Sequence, residues 1–265
     1  MKILASTLFV LSFCACAHAQ EPVPLARGNT PGEPHHHLKI ENEYVRVYYV
    51  EAPPHEATLL HQHDQDYIYV SLGPSEVVNA ILNKPEIHLQ LKDGETHFTR
   101  GGFAHVARNL ADTPFRNITI ELLKPQGEVR NLCAEIIPGA PLIHCDSEAR
   151  ERERLKEGGS SVVPLFQTDE VTVSLNRFGP NTEQTSLTTF SGTVFVLLSG
   201  SGIQELVKGQ PAEALAVGDV MWLLGGSITT LANPSQKAWS YLSVGFKGSE
   251  PIHKTRFPLG PGLFE

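Results

Sequence analysis

The stretch GETHFTRGGFAHVARN at residues 94–109 returns 124 positions later as GDVMWLLGGSITTLAN at residues 218–233. Gly94, Gly101, Gly102 and Asn109 each meet a counterpart at that offset: Gly218, Gly225, Gly226 and Asn233. Matching turn positions in segments that otherwise differ mark a repeat of chain corners. Working outward, Ala52-Pro53 matches Gly179-Pro180 and Gly73 matches Gly200, at an offset of 127, so the second copy is three residues shorter between its two motifs. Glycines at strand ends imply positive φ or close backbone approach at the same corners of both copies.

Between the corners lie short β-branched and aromatic runs, at 44–50, 67–72, 86–91, 116–123, 171–175, 193–198 and 239–246. Runs of this length, punctuated by Gly, Pro, Asn and Asp, predict an all-β chain of sandwich or barrel type. The repeat divides it into an N-terminal barrel over 20–145 and a C-terminal barrel over 161–265. Between them DSEARERERLKEGG, at 146–159, reads as a solvated tether or short helix within a linker at 146–160. The Pro-rich segment 20–34 reads as irregular.

Composition removes several classes of function. With 41% hydrophobic residues among 265 the chain can bury a core, and a formal charge of −8 without a Lys/Arg run leaves no footprint for nucleic acid or an anionic membrane. Lys2, an apolar run and the small residues Ala15, Ala17 and Ala19 have the order of a secretory signal peptide over 1–19, so an exported chain, periplasmic or extracellular, without a membrane span is expected. A lipid-anchored form through Cys14 or Cys16 is the lesser alternative. Cleavage leaves Cys133 and Cys145, which in an oxidising compartment read as one local disulfide.

Histidines carry the candidate chemistry. His61 and His63 flank Gln62 in a run that reads as strand, so alternation puts both imidazoles on one face, and His105 lies in the glycine-bounded return segment. His35-His36-His37 looks like a chelating run but, near the N-terminus, reads as incidental. His97 is a candidate proton shuttle if it points inward, and Arg100 a candidate for an anionic substrate group, although a surface turn is its plainer reading.

These residues resemble the two motifs of the cupin superfamily. The first, G-x5-HxH-x3,4-E-x6-G, is followed from Pro54 through His61 and His63 to Gly73, and the second, G-x5-PxG-x2-H-x3-N, by Gly94, Gly102, His105 and Asn109. The resemblance covers nearly all of the chain after residue 19 and implies a bicupin: two tandem jelly-roll barrels, each with its ligand site in the barrel mouth. It implies a metal at His61, His63 and His105, and imidazoles with open positions suit Fe, Mn, Ni, Cu or Zn. His55 and Arg100 replace the motifs' first Gly and Pro, and the motif Glu falls on Tyr67 or Ile68. For a fourth ligand the choices are none or Asp66, then Gln65, then Tyr67; alternation from His63 turns Asp66 outward unless a bulge resets the face. Tyr67, His97 and Arg100 are the candidate substrate contacts.

In the second copy the offsets place Thr188, Phe190 and Thr229 where the first has His61, His63 and His105, so that barrel is expected to be metal-free and structural. The functional expectation is a metal-dependent enzyme performing dioxygenase-type or hydrolytic chemistry on a small organic molecule, the former suggested by similarity to quercetinase-like dioxygenases. The alternative is an envelope protein that binds metal or a small ligand without turnover. Pairing of exposed strand edges makes a homodimer a further expectation.

Overall fold

The computed structural model describes residues 25–132, 143–145, 159–206 and 212–248. Residues 1–24, Cys133 and nearly all of the charged segment 146–159 lie outside this set, and with them the signal-peptide, disulfide and helix expectations.

The described chain is all-β. The first half holds β1 (Leu25–Asn29), β2 (His36–Glu41), β3 (Val45–Ala52), β4 (Leu60–His63), β5 (Asp66–Ser71), β6 (Ser75–Ile81), β7 (Ile87–Leu91), β8 (Thr96–Thr99), β9 (Phe103–Asn109), β10 (Phe115–Leu122), β11 (Arg130–Asn131) and β12 (Ile143–Cys145). The second holds β13 (Ser160–Gln167), β14 (Val171–Phe178), β15 (Glu183–Leu187), β16 (Gly192–Ser199), β17 (Ile203–Leu206), β18 (Glu213–Leu215), β19 (Val220–Leu224), β20 (Ile228–Ala232) and β21 (Trp239–Phe246). Each apolar run noted in the sequence falls in a strand.

Four sheets result. One barrel faces β1-β4-β9-β6-β7 against β12-β8-β5-β10-β3-β2; the other faces β11-β13-β14-β21-β16-β19 against β15-β20-β17-β18. β11 pairs with β13, so residues 130–131 join a sheet of the second barrel, while β12 returns to pair with β8 in the first. The corners behave as the glycine pattern predicts: Gly73, Gly94, Gly102, Gly200, Gly218 and Gly226 all have positive φ. Gly101 serves differently, because a Cβ there would lie 2.4 Å from the carbonyl oxygen of Gln65.

Strand alternation divides the labour of the six-stranded sheets. In β3, Val45 and Val47 turn toward the second barrel and Val50 lines the cavity of the first; in β10, Ile118, Ile120 and Leu122 turn away from the cavity and Asn117 and Thr119 line it. The outward sets meet Leu165, Phe166, Val173, Val194 and Leu242 of the other half in one fully buried cluster. Phe98 meets Phe166 edge to face at 5.9 Å, and Tyr44 stacks on Trp222 at 5.4 Å. The largest apolar core is thus the seam between the barrels.

The expectation of an irregular N-terminal segment is corrected. β1 pairs in parallel with β4, a single 3-10 turn follows at Thr30–Gly32, and Thr30 and Glu33 are buried. This strap runs from the edge of one sheet, as β1 beside β4, to the edge of the other, as β2 beside β3.

Candidate metal centre

β4 and β9 run antiparallel with His61 directly opposite His105. Alternation along β4 buries His61 and His63 and exposes Gln62 between them. Ring centroids lie 4.6 Å apart for His61 and His105, 5.0 Å for His61 and His63, and 5.1 Å for His63 and His105. The three histidines singled out by spacing are therefore neighbours inside the first barrel.

A fourth joins them. His36, dismissed with its neighbours as incidental, has a side chain only 4% exposed, and its ring lies 4.8 Å from that of His61. One ring nitrogen each from His36, His61 and His63 falls within 4.8 Å of the others. Sequence reasoning missed it because neither a local motif nor alternation reveals that a strap pairs in parallel with β4. The signal that was present is Glu33, three residues earlier, with Thr30 before it.

Each imidazole has its Nδ1 occupied. His36 Nδ1 donates to Glu33 at 2.7 Å, His61 Nδ1 to the carbonyl of Leu59 at 2.8 Å, and His105 Nδ1 to the amide oxygen of Asn79 at 2.7 Å. His63 Nδ1 donates to the Thr30 hydroxyl at 3.2 Å, which donates on to Glu121 at 2.6 Å. With every Nδ1 acting as donor, the neutral rings keep bare lone pairs on Nε2. Those of His61 and His105 stand 3.1 Å apart, a contact that repels unless a cation lies between them. Oriented imidazoles backed by carboxylates and carbonyls are the donor set of a transition-metal site, so the residues fit such an ion.

Burial keeps the donors neutral. It pulls His61 down to about 4, with the neighbouring His63 adding to the effect, and lowers His36 and His63 as well. His105 is pushed well below the usual imidazole range by burial and by His61 and His63 beside it. For Glu33 burial works to raise the pKa, but the bonds from His36 and His35 outweigh it and hold the carboxyl at about 2. Glu121 is held below its ordinary value in the same way, its burial overcome by His63 and Thr30.

Asp66 is corrected as a metal ligand. The chain breaks at Asp64-Gln65 to pass from the sheet of β4 to that of β5, and Asp66 accepts from Arg100 at 2.7 Å and from the Gly101 amide at 3.0 Å. Arg100 takes its plainer, surface-turn reading: its guanidinium is bound to Asp66 and the Gly127 carbonyl and lies over the Phe98 ring, tying a corner together while it also lines a cavity. Tyr67 faces inward and stacks on His63 at 4.3 Å. His97 is buried, bonded to Glu95 at 2.8 Å and stacked on Tyr69 at 4.2 Å.

Beside the histidines is a mostly apolar cavity of about 60 Å³, room for a few waters, walled by Tyr67, Tyr69, Leu89, Leu91 and Phe115. A second cavity of about 270 Å³ shares Tyr67, Tyr69, Asn79 and Leu89 with it and reaches His97, Lys84 and Arg100.

The second barrel has the same frame without the donors. Gly102 N donates to His63 O in the first barrel and Gly226 N to Thr188 O in the second, so Thr188 stands in for His63. Ser186, opposite Thr229, then stands in for His61, opposite His105. This corrects the sequence alignment, which placed Thr188 and Phe190 there, and leaves its conclusion intact: no imidazole is present. β21 corresponds to β10 strand for strand, which sets Gly245 at the place of Glu121, and a Cβ on Gly245 would lie 2.3 Å from the Phe190 ring. A cavity of about 150 Å³ remains, lined by Ser186, Thr188, Thr229, Phe195 and Tyr241 among others.

With two jelly-roll sandwiches and a histidine cluster at β4 and β9 described, comparison with solved structures decides the fold. A variant of salicylate 1,2-dioxygenase from Pseudoaminobacter salicylatoxidans in complex with gentisate aligns with a TM-score of 0.59 at 14% identity, covering 84% of this chain and 76% of that one. The fold is that of the cupins. AerE from Microcystis aeruginosa aligns with a TM-score of 0.54 at 10% identity, covering 82% of this chain and 99% of that one. No protein-family model and no curated protein sequence matches the chain. Among the described residues no helix is long and apolar enough to cross a membrane.

Proposed function

We propose that this is an exported, metal-dependent cupin that holds one divalent transition-metal ion through His61, His63 and His105 and carries out dioxygenase-type chemistry on a small aromatic molecule. The observation that carries the reading is the 3.1 Å approach of two Nε2 lone pairs whose rings are both fixed by their Nδ1 bonds. A bound Fe, Mn, Ni, Cu or Zn ion supplies Lewis acidity there and, where redox-active, a route for electrons between substrate and O2.

The chain's own residues do the rest. Leu59, Asn79, and Thr30 with Glu121 fix the tautomers and aim the rings. The walls formed by Tyr67, Tyr69, Leu89 and Phe115 exclude bulk water, and the larger cavity behind Tyr67 and Tyr69 is where a planar organic substrate would fit. That the solved neighbour was crystallised with gentisate supports an aromatic substrate. The second reading, metal or ligand binding without turnover, draws on the small size of the cavity at the histidines themselves, about 60 Å³.

The test is purification of the envelope-targeted protein, with metal analysis, intact mass to locate cleavage after Ala19, and oxygen uptake with flavonols, catechols and hydroxybenzoates. Metal near one per chain is expected, falling below about a tenth in His61→Ala and His105→Ala, with uptake on at least one substrate class. Metal without turnover on any class favours the binding reading, and absence of metal from freshly isolated protein rejects both readings in their metal form.

A further inference from the structure

We propose that His36, carried into the barrel by the N-terminal strap and held there by Glu33, is a fourth nitrogen ligand that takes the place of the missing motif carboxylate. The inference rests on the metal reading above and adds to it a ligand from outside the two motifs.

The motif's own position cannot supply the ligand. Tyr67 stands there with its ring flat on His63, and the neighbouring Asp66 is bound to Arg100 and Gly101. His36 approaches from the other side, from β2 where it pairs with Val50, a residue that lines the cavity. Its ring makes an edge contact with His61 at 4.8 Å and a tilted one with His63 at 6.1 Å, and a nitrogen from each of the three lies within 4.8 Å of the others.

Glu33 explains why that ring is held. Its side chain is fully buried, and its two oxygens accept four bonds: from His36 Nδ1 at 2.7 Å, His35 Nδ1 at 2.8 Å, His35 N at 2.7 Å and Leu59 N at 3.1 Å. A carboxylate so enclosed and spanning the strap and the approach to β4 fixes His36 as a donor through Nδ1 and leaves Nε2 as its free ligand atom. The same strap supplies Thr30, which links His63 to Glu121. One segment therefore delivers one candidate ligand and the outer partners of two.

The experiment is to strip the full-length protein of metal, reload it with Cu(II), and count bound imidazole nitrogens by pulsed electron paramagnetic resonance while measuring affinity against a competing chelator. Four are expected for the wild type and three for His36→Gln, with affinity lowered at least tenfold. For Glu33→Gln we expect four nitrogens with affinity lowered about tenfold, as for other outer partners of metal-bound histidine. Three nitrogens in the wild type overturn the proposal without any variant, which covers the case in which His36→Gln fails to fold. So does a His36→Gln protein with unchanged spectrum and affinity. Wild-type protein that takes up no Cu(II) at all instead rejects the metal reading on which the proposal stands.

Discussion

His61 shows how a single side chain is prepared for its role. Its Nδ1 is spent on the Leu59 carbonyl and its Nε2 faces His105, and burial holds its pKa at about 4 against an ordinary 6.5. The unfolded chain binds a proton here below pH 6.5 whereas the folded one resists until about pH 4, so this contribution to stability is complete above pH 6.5 and is lost as the pH falls through 4. Glu33, held at about 2, has the same sign lower down: its contribution is present above its ordinary 4.5 and disappears toward pH 2. For metal-free protein the linkage predicts a loss on the order of 1–2 kcal/mol from His61 alone between pH 7 and pH 5. The melting temperature, followed by calorimetry, is therefore expected to drop by about 4 °C or more over that interval. A flat profile would show that the imidazoles are already charged or exposed in the folded state.

Among the elements, the corner where β4 passes into β5 is the one that sets the place of His63, a proposed metal ligand. Gly101 packs with no room for a Cβ against the Gln65 carbonyl, two residues beyond His63, while Gly102 has a φ of +85° and open space around it. Gly101→Ala must push the corner apart, at a cost of about 2 kcal/mol, and should weaken metal binding as His63 moves. Gly102→Ala suffers only the left-handed backbone cost of about 1 kcal/mol and should leave metal affinity unchanged. Denaturant titration and chelator competition on the two variants separate these effects. The same corner shows why the elements were legible in the sequence and part of the site was not. Turn glycines and apolar runs are local signals, and so are His61, His63 and His105 within their motifs. Strict alternation from His63 turns Asp66 outward and Tyr67 inward, as found; the Asp66 option depended on a bulge, and the chain instead changes sheet at Asp64-Gln65. His36 was misread because the pairing that buries it is made by β1, seven residues upstream, with a strand 31 residues further along.

The whole molecule is held together at its seam. Ile118, Ile120 and Leu122 of β10 lie against the six-stranded sheet of the other half, and Phe166 reaches Phe98 across the boundary. Phe166→Ala removes a fully buried ring from this shared core and is expected to cost about 3–5 kcal/mol. Because both six-stranded sheets lose the contact, thermal unfolding should stay a single transition displaced downward; two separated transitions would mean that the halves are independently stable. The repeat in the sequence announced two units, but which face of each strand meets the other unit follows only from the register.

Phe190 has a bearing on redesign of the second barrel. Its ring occupies the space that a side chain at position 245 would need, on the strand that in the first barrel carries Glu121. Redesign is therefore a matter of order: Ser186→His, Thr188→His and Thr229→His would supply imidazoles with nothing to orient the one at 188. A carboxylate could follow only after Phe190 had been made smaller. The one chain thus carries both a candidate centre and a matched scaffold in which transplanting it can be tried step by step.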